Sequence, residues 1–121
     1  MTQHILTIDD EPEIREVLRE FLTSAGFRVS GAGTVEEALE VIRRDPPQLI
    51  ITDLQLEETD GFDVIDQIKA LVPKTPVILL TGVLFDPAVI NDRMGRKIAA
   101  YLGKIESLER IAQEVRTHIG A

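Results

Sequence analysis

The sequence contains no cysteine and no tryptophan, and aromatic residues make up only 4% of its 121 positions. Without cysteine there is no disulfide framework, no thiolate metal ligand and no thiol chemistry. No apolar run approaches the ~20 residues of a membrane-spanning helix. Residues 1–10 also lack the basic start and long apolar core of a secretory signal. Basic charge is scarce as well: 13 Lys and Arg stand against 21 Asp and Glu, for a formal charge of −8. Direct binding to nucleic acid needs a basic surface to neutralise phosphates, and this balance does not supply one. The expected setting is therefore cytoplasmic, with neither a nucleic acid nor a membrane as partner. What remains is 44% hydrophobic and 28% charged. A chain of this size buries roughly two-thirds of the surface that its unfolded form exposes, enough for one domain without a metal staple.

Apolar runs of strand length recur at His4–Asp9, Phe27–Ala32, Leu49–Asp53, Val77–Thr81 and Ile98–Leu102, each followed by residues at helical spacing. That alternation predicts an α/β fold with a parallel sheet. Leu49-Ile50-Ile51 and Val77-Ile78-Leu79-Leu80 are continuously apolar, as central strands covered on both faces require. Asp10-Glu11-Pro12-Glu13 offers the first helix an N-cap, an early proline and a capping-box glutamate, and Gly26 ends that helix. Thr34 to Glu37 repeats the capping box, and Asp45-Pro46-Pro47 stops the second helix. Asp60 or Gly61 opens a third, closed by Pro73; Asp86-Pro87 opens a fourth that ends near Gly95; Ser107 caps a fifth. No linker, low-complexity segment or repeat marks a second domain.

Most acidic side chains fall on helix faces or caps, but Asp9 and Asp10 close the first strand and Asp53 closes the third. Parallel packing brings all three to the carboxyl edge of the sheet, where open α/β sheets bind ligands. Carboxylates a few ångströms apart repel one another unless a cation joins them. An all-oxygen cluster with room for water suits Mg²⁺. Thr81-Gly82 adds a hydroxyl and an uncluttered N–H at the end of the fourth strand, and Lys104 adds an ammonium after the fifth. Carboxylates, a divalent cation, a hydroxyl and an ammonium suit a phosphoryl group. With no serine, histidine or cysteine nearby, the acceptor is a carboxylate, and Asp53 is the best placed.

The set Asp9-Asp10-Glu11, Asp53 followed by Asp60-Gly61, Thr81-Gly82, and Tyr101 three residues before Lys104 resembles the receiver domain of two-component response regulators. The resemblance covers the chain from Ile5 to about Ile119 and implies one receiver domain over residues 1–121. It implies a doubly wound, five-stranded parallel sheet of flavodoxin-like order 2-1-3-4-5 flanked by five helices. It further implies Asp53 as phosphoacceptor and Mg²⁺ ligand, Asp10 as a direct Mg²⁺ ligand, Asp9 acting through water and the Gln55 carbonyl completing the set. Thr81 and Lys104 would bind the phosphoryl oxygens, and Tyr101 is similar to the family's rotameric switch aromatic. The implied donor is a histidine kinase or histidine phosphotransfer protein. The implied output is a protein partner at the face of the fourth helix, fifth strand and fifth helix. Such a chain catalyses only its own phosphorylation and dephosphorylation. No DNA-binding or catalytic segment accompanies it, so a stand-alone regulator and a receiver from a longer protein both stay open.

Taken singly, each position has a plainer reading: Asp10 as a helix cap, Asp53 as the start of a turn, Thr81 as a β-branched strand residue, Lys104 as a solvated loop charge, Tyr101 as a half-buried strand aromatic. Their coincidence at the ends of four strands favours the functional one. His4 and His118 read as structural. Arg93, Arg96 and Lys97 form the one local basic cluster, read as a solvated face with an acidic docking partner as the alternative. The chain departs from the family at Ile105, where proline usually follows the lysine, at Leu56-Glu57 in place of Met-Pro, and at Lys97-Ile98 in place of Gly-Ala. A cis bond before a non-proline costs about 2.5–4 kcal/mol, so a trans Lys104–Ile105 bond is expected. Gln55 and Val83 flank the path of a hydrolytic water, and an apolar Val83 predicts slow self-dephosphorylation. The rival class is a phosphorylation-independent docking or dimerisation module, motivated by the missing proline and the altered loop. An aspartate-nucleophile phosphatase would want Asp-x-Asp after the first strand, and a flavin-binding protein a hydroxyl-rich phosphate loop there; neither is present.

Overall fold

Parallel strands and helices alternate along the chain in a computed structural model that describes residues 3–53, 55–56, 59–81, 97–103 and 108–119, with backbone alone for 55–56, 59–62 and 81. The elements are β1 (His4–Ile8), α1 (Pro12–Ser24), β2 (Arg28–Ala32), α2 (Val35–Arg44), β3 (Leu49–Thr52), β4 (Gln55–Leu56), β5 (Thr59–Asp60), α3 (Gly61–Leu71), β6 (Val77–Thr81), β7 (Ala100–Gly103) and α4 (Leu108–His118). Five strands form one sheet in the order β2-β1-β3-β6-β7, every pair parallel. Counted along the chain, these are the first to fifth long strands, so the order is the expected 2-1-3-4-5. Four helices lie among the described residues. The helix expected from Asp86 to Gly95, the Ser107 cap and the Lys104–Ile105 bond fall outside them.

Successive strand residues point to opposite faces, and this divides the apolar residues into two cores. Leu6, Ile8, Ile50, Val77 and Leu79 pack with Ala38 and Ile42 of α2 and with Val64, Ile65 and Ile68 of α3. Ile5, Leu49, Ile51, Ile78 and Leu80 pack on the other face with Leu18 and Leu22 of α1 and with Ile111 and Val115 of α4. All of these side chains are buried, which explains why β3 and β6 read as continuous rather than alternating apolar runs.

Local chemistry sets the boundaries. Gly26 takes φ +100°, a conformation that costs glycine little, and Phe27 N–H turns back to the Leu22 carbonyl. Phe27 therefore finishes the turn after α1, and β2 begins one residue later than expected. The first helix is also not capped by Asp10: its N-cap is Glu11, which makes no side-chain capping bond, and Pro12 stands at the first helical position. Thr34 does cap α2, its Oγ1 accepting from Glu37 N–H at 3.2 Å. Leu56 and Thr59 pair in a short antiparallel ribbon, β4–β5, that the sequence reading did not anticipate. The last strand runs from Ala100 to Gly103 rather than from Ile98.

Candidate functional site

The order 2-1-3 means that the chain leaves β1 for β2 on one side and returns to place β3 on the other. The carboxyl ends of β1 and β3 therefore flank the switch point at which such sheets open a crevice. Each end is extended by one backbone bond past the regular strand. Asp9 N–H donates to the Ala32 carbonyl and Asp53 N–H to the Ile8 carbonyl, both at 3.0 Å. The two aspartates are thus held by neighbouring strands and are nearly fully buried, at 3% and 4% exposure.

Asp9, Asp10, Glu11 and Asp53 each offer a carboxylate oxygen, and these oxygens all lie within 4.8 Å of one another. Asp9 and Asp53 form the buried floor of the group, while Asp10 and Glu11 are more open. The turn that carries three of them is built by their own main chain. Glu11 N–H donates to Asp9 Oδ1 at 2.9 Å, and Arg15 Nη1 donates to the Asp9 carbonyl at 2.6 Å. Asp10 has no capping duty, because the N-cap of α1 is Glu11. Glu11 is the member of the cluster that sequence reasoning did not assign. Its signal was there, in the three consecutive acidic residues Asp9-Asp10-Glu11 at a strand end, but no ligand role was attached to the third.

The other expected positions divide by what the structure describes. The pairing of Thr52 with Leu79 carries β6 two residues further, so Thr81 ends at the same edge as Asp53. Gly103 pairs with Thr81, and Tyr101 pairs with Leu79. Tyr101 is half-buried and packs against the core on the α2 and α3 side. Gln55 opens β4 opposite Asp60, two residues after Asp53. Lys104, Val83 and Ile105 lie outside the described residues, as do Arg93 and Arg96. Lys97, the described member of that basic cluster, is exposed and ion-paired with Asp66 of α3. The charge is thereby partly met within the chain.

Neither histidine reaches this edge. His4 begins β1 at the opposite end of the sheet, with no exposed surface, its Nε2 2.7 Å from Ser30 Oγ. Its Nδ1 makes no hydrogen bond among the described residues and lies 3.8 Å from Asp45 Oδ2. Burial, and then the nearby Arg28 guanidinium, hold its pKa below the usual 6.5, with Asp45 acting the other way. His118, near the end of α4, sits 3.2 Å from Glu114. No described helix is long and apolar enough to cross a membrane.

Four oxygen donors around one point, with both charged and buried members, match the donor set of a hard divalent cation that keeps some of its water. Comparison with known proteins gives the family. Residues 5–116 match the family described as response regulator receiver domain. The transcriptional regulatory protein GlrR of Escherichia coli K12 is 38% identical over 79 residues, which cover 65% of this chain and 18% of that protein. The probable transcriptional regulator ycf27 of Porphyridium aerugineum is 31% identical over 118 residues, 95% of this chain and 47% of that protein. The chain thus spans at most about half the length of these two curated relatives. Among solved structures, the response regulator protein TrrA of Thermotoga maritima, in complex with Mg²⁺–BeF, superposes with a TM-score of 0.84 at 28% identity, covering 96% of this chain and 98% of that one. With a match over nearly its whole length and the sheet order the fold demands, this chain belongs to the response regulator receiver domain family.

Proposed function

We propose that residues 1–121 form one receiver domain working as a phosphoacceptor switch, with Asp53 as the acceptor. The observation that carries this reading is the buried Asp53 carboxylate at the switch point, grouped with Asp9, Asp10 and Glu11 within 4.8 Å. In the transfer, a carboxylate oxygen of Asp53 attacks the phosphorus of a phosphohistidine on a histidine kinase or phosphotransfer protein. The P–O bond forms, the P–N bond breaks, and the imidazole leaves with the bonding pair and takes up a proton. Asp10, with Asp9 through water and the Gln55 carbonyl, would hold Mg²⁺, which supplies charge neutralisation for the phosphoryl oxygens when bound. Asp53 needs no general base, because a carboxylate is already a nucleophile.

Phosphorylation gives Asp53 a charge of roughly −1.5 to −2 in place of −1. Thr81 and Lys104 donate to the new oxygens. Tyr101, two residues before Gly103 in β7, follows inward from its half-buried place. The population of surface states shifts accordingly, and a protein partner reads the face that includes β7 and α4. A cytoplasmic location is in keeping with this function.

Incubation with Mg²⁺ and acetyl phosphate, read by intact mass, tests the reading. One added phosphoryl mass is expected in wild type and none in Asp53→Ala. No added mass in wild type, with Mg²⁺ present, would favour a docking module instead.

A further inference from the structure

We propose that Arg15 is a positioning residue for the cation site, acting through the main chain of Asp9; this rests on the cation-site reading above. Arg15 belongs to α1 and is half-buried, yet it makes no ion pair with a described carboxylate. Its Nη1 donates to the Asp9 carbonyl at 2.6 Å, a short charge-assisted bond. Asp9 is already fixed at its N–H by the Ala32 carbonyl and at Oδ1 by the Glu11 amide. With Arg15 in place, three successive peptide groups, Ile8–Asp9, Asp9–Asp10 and Asp10–Glu11, each carry one hydrogen bond, so the main chain before and after Asp10 is held. Asp10 therefore presents its carboxylate from a backbone held by others, without a side-chain bond of its own to a described residue.

One of the two glycines beside this arginine makes room for it. A Cβ on Gly31 would stand 3.5 Å from Arg15 Cδ, an ordinary contact, whereas a Cβ on Gly33 would stand 2.7 Å from Nη1, closer than atoms tolerate. The guanidinium thus crosses the end of β2 through a gap that only glycine at position 33 leaves open. Gly33 does not adopt positive φ. An alanine there would strain no backbone; it would push aside the flexible tip of Arg15 and so break the bond to Asp9 while keeping the charge. Removing Arg15 and filling the gap at Gly33 are two independent ways to release the same carbonyl.

The test is a Mg²⁺ titration of the whole chain, followed by amide chemical shifts and paired with thermal unfolding in EDTA. Wild type is expected to show saturable shifts at residues 9–11 and 53. Arg15→Ala should need about tenfold more Mg²⁺ for half-saturation, the low end of the effect of losing a group that orients metal ligands. Arg15→Lys, which keeps a donor on a shorter stem, should fall between the two. Gly33→Ala should resemble Arg15→Ala. In the double variant it should add nothing further, because there is no longer an arginine to displace. Gly33→Ala also carries the test alone if Arg15→Ala does not fold. A purely structural role would lower the unfolding temperature and leave the Mg²⁺ midpoint of the folded protein unmoved, which would overturn the proposal. So would full additivity of the two substitutions. A wild type with no Mg²⁺-dependent shifts would overturn the cation-site reading itself, and this proposal with it.

Discussion

Replacing Asp53 with asparagine removes one charge from a group of four carboxylates whose oxygens lie within 4.8 Å, and the apo protein should become more stable. At that separation a pair of unit charges repels by about 3.5 kcal/mol at an effective dielectric of about 20, and by about 0.9 kcal/mol at the dielectric of water. The pairing of Asp53 with the equally buried Asp9 belongs nearer the first value. Its pairings with the more open Asp10 and Glu11 belong nearer the second, so the gross relief is about 5 kcal/mol. Against this, Asp53 is not without a partner, and what an amide loses there as an acceptor is set at about 2–4 kcal/mol, the weakening of two charge-assisted bonds. The net expectation is a gain of about 1–3 kcal/mol in EDTA, worth about 3–6 °C in melting temperature per kcal/mol for a chain of this length. Added Mg²⁺ should stabilise wild type more than the variant, because only wild type regains what the repulsion costs. Thermal and urea unfolding of both proteins, with and without Mg²⁺, reads this directly. An Asp53→Asn protein no more stable than wild type in EDTA would refute the claim that repulsion is stored in the cluster.

Three further outcomes follow from other parts of the molecule. The pKa of His4 is lower folded than unfolded, so the unfolded chain binds the proton first. Its contribution is fully present above pH 6.5 and is lost as pH falls from there to the folded-state value. Urea midpoints between about pH 8 and about pH 5.5 should fall more steeply for wild type than for His4→Gln. Thr34→Ala removes the bond to the Glu37 amide and should cost about 1 kcal/mol in urea unfolding; a loss below a few tenths would contradict the assigned cap. Val83→Glu should shorten the phosphoryl lifetime, because a carboxylate can orient the attacking water; an unchanged or longer half-life would show that Val83 does not govern hydrolysis.

The elements that were legible in the sequence are those whose pattern has one physical cause. Leu49–Thr52 and Val77–Thr81 are apolar on both faces because both faces are covered, and the observed strands agree with the expected ones to within a residue. Thr34-x-x-Glu37 was readable because capping is local. The N-cap that the spacing offers at Asp10 falls instead at Glu11, for the opposite reason. Whether Asp9, Asp10 or Glu11 meets the first amides of α1 depends on how β2 and β3 hold Asp9, which no spacing along the chain expresses. The β4–β5 ribbon has two residues per strand and too short a pattern to detect. Arg15 carried no motif either: its partner is a main-chain carbonyl, and the glycine that admits it is 18 residues away. At the candidate site, the strand-end positions of Asp9 and Asp53 were readable because topology alone takes them to one edge. Glu11 joins through a turn that only the folded backbone shows.

The central claim concerns which carboxylate carries the phosphoryl group, and an acyl phosphate reports its own position. Borohydride reduces it to an alcohol, so phosphorylated protein treated this way and mapped by peptide mass spectrometry marks the acceptor. The reduced residue is expected to be Asp53 and no other. Reduction at Asp9, Asp10 or Glu11 instead, or at no residue after exposure to Mg²⁺ and a phosphodonor, would contradict it.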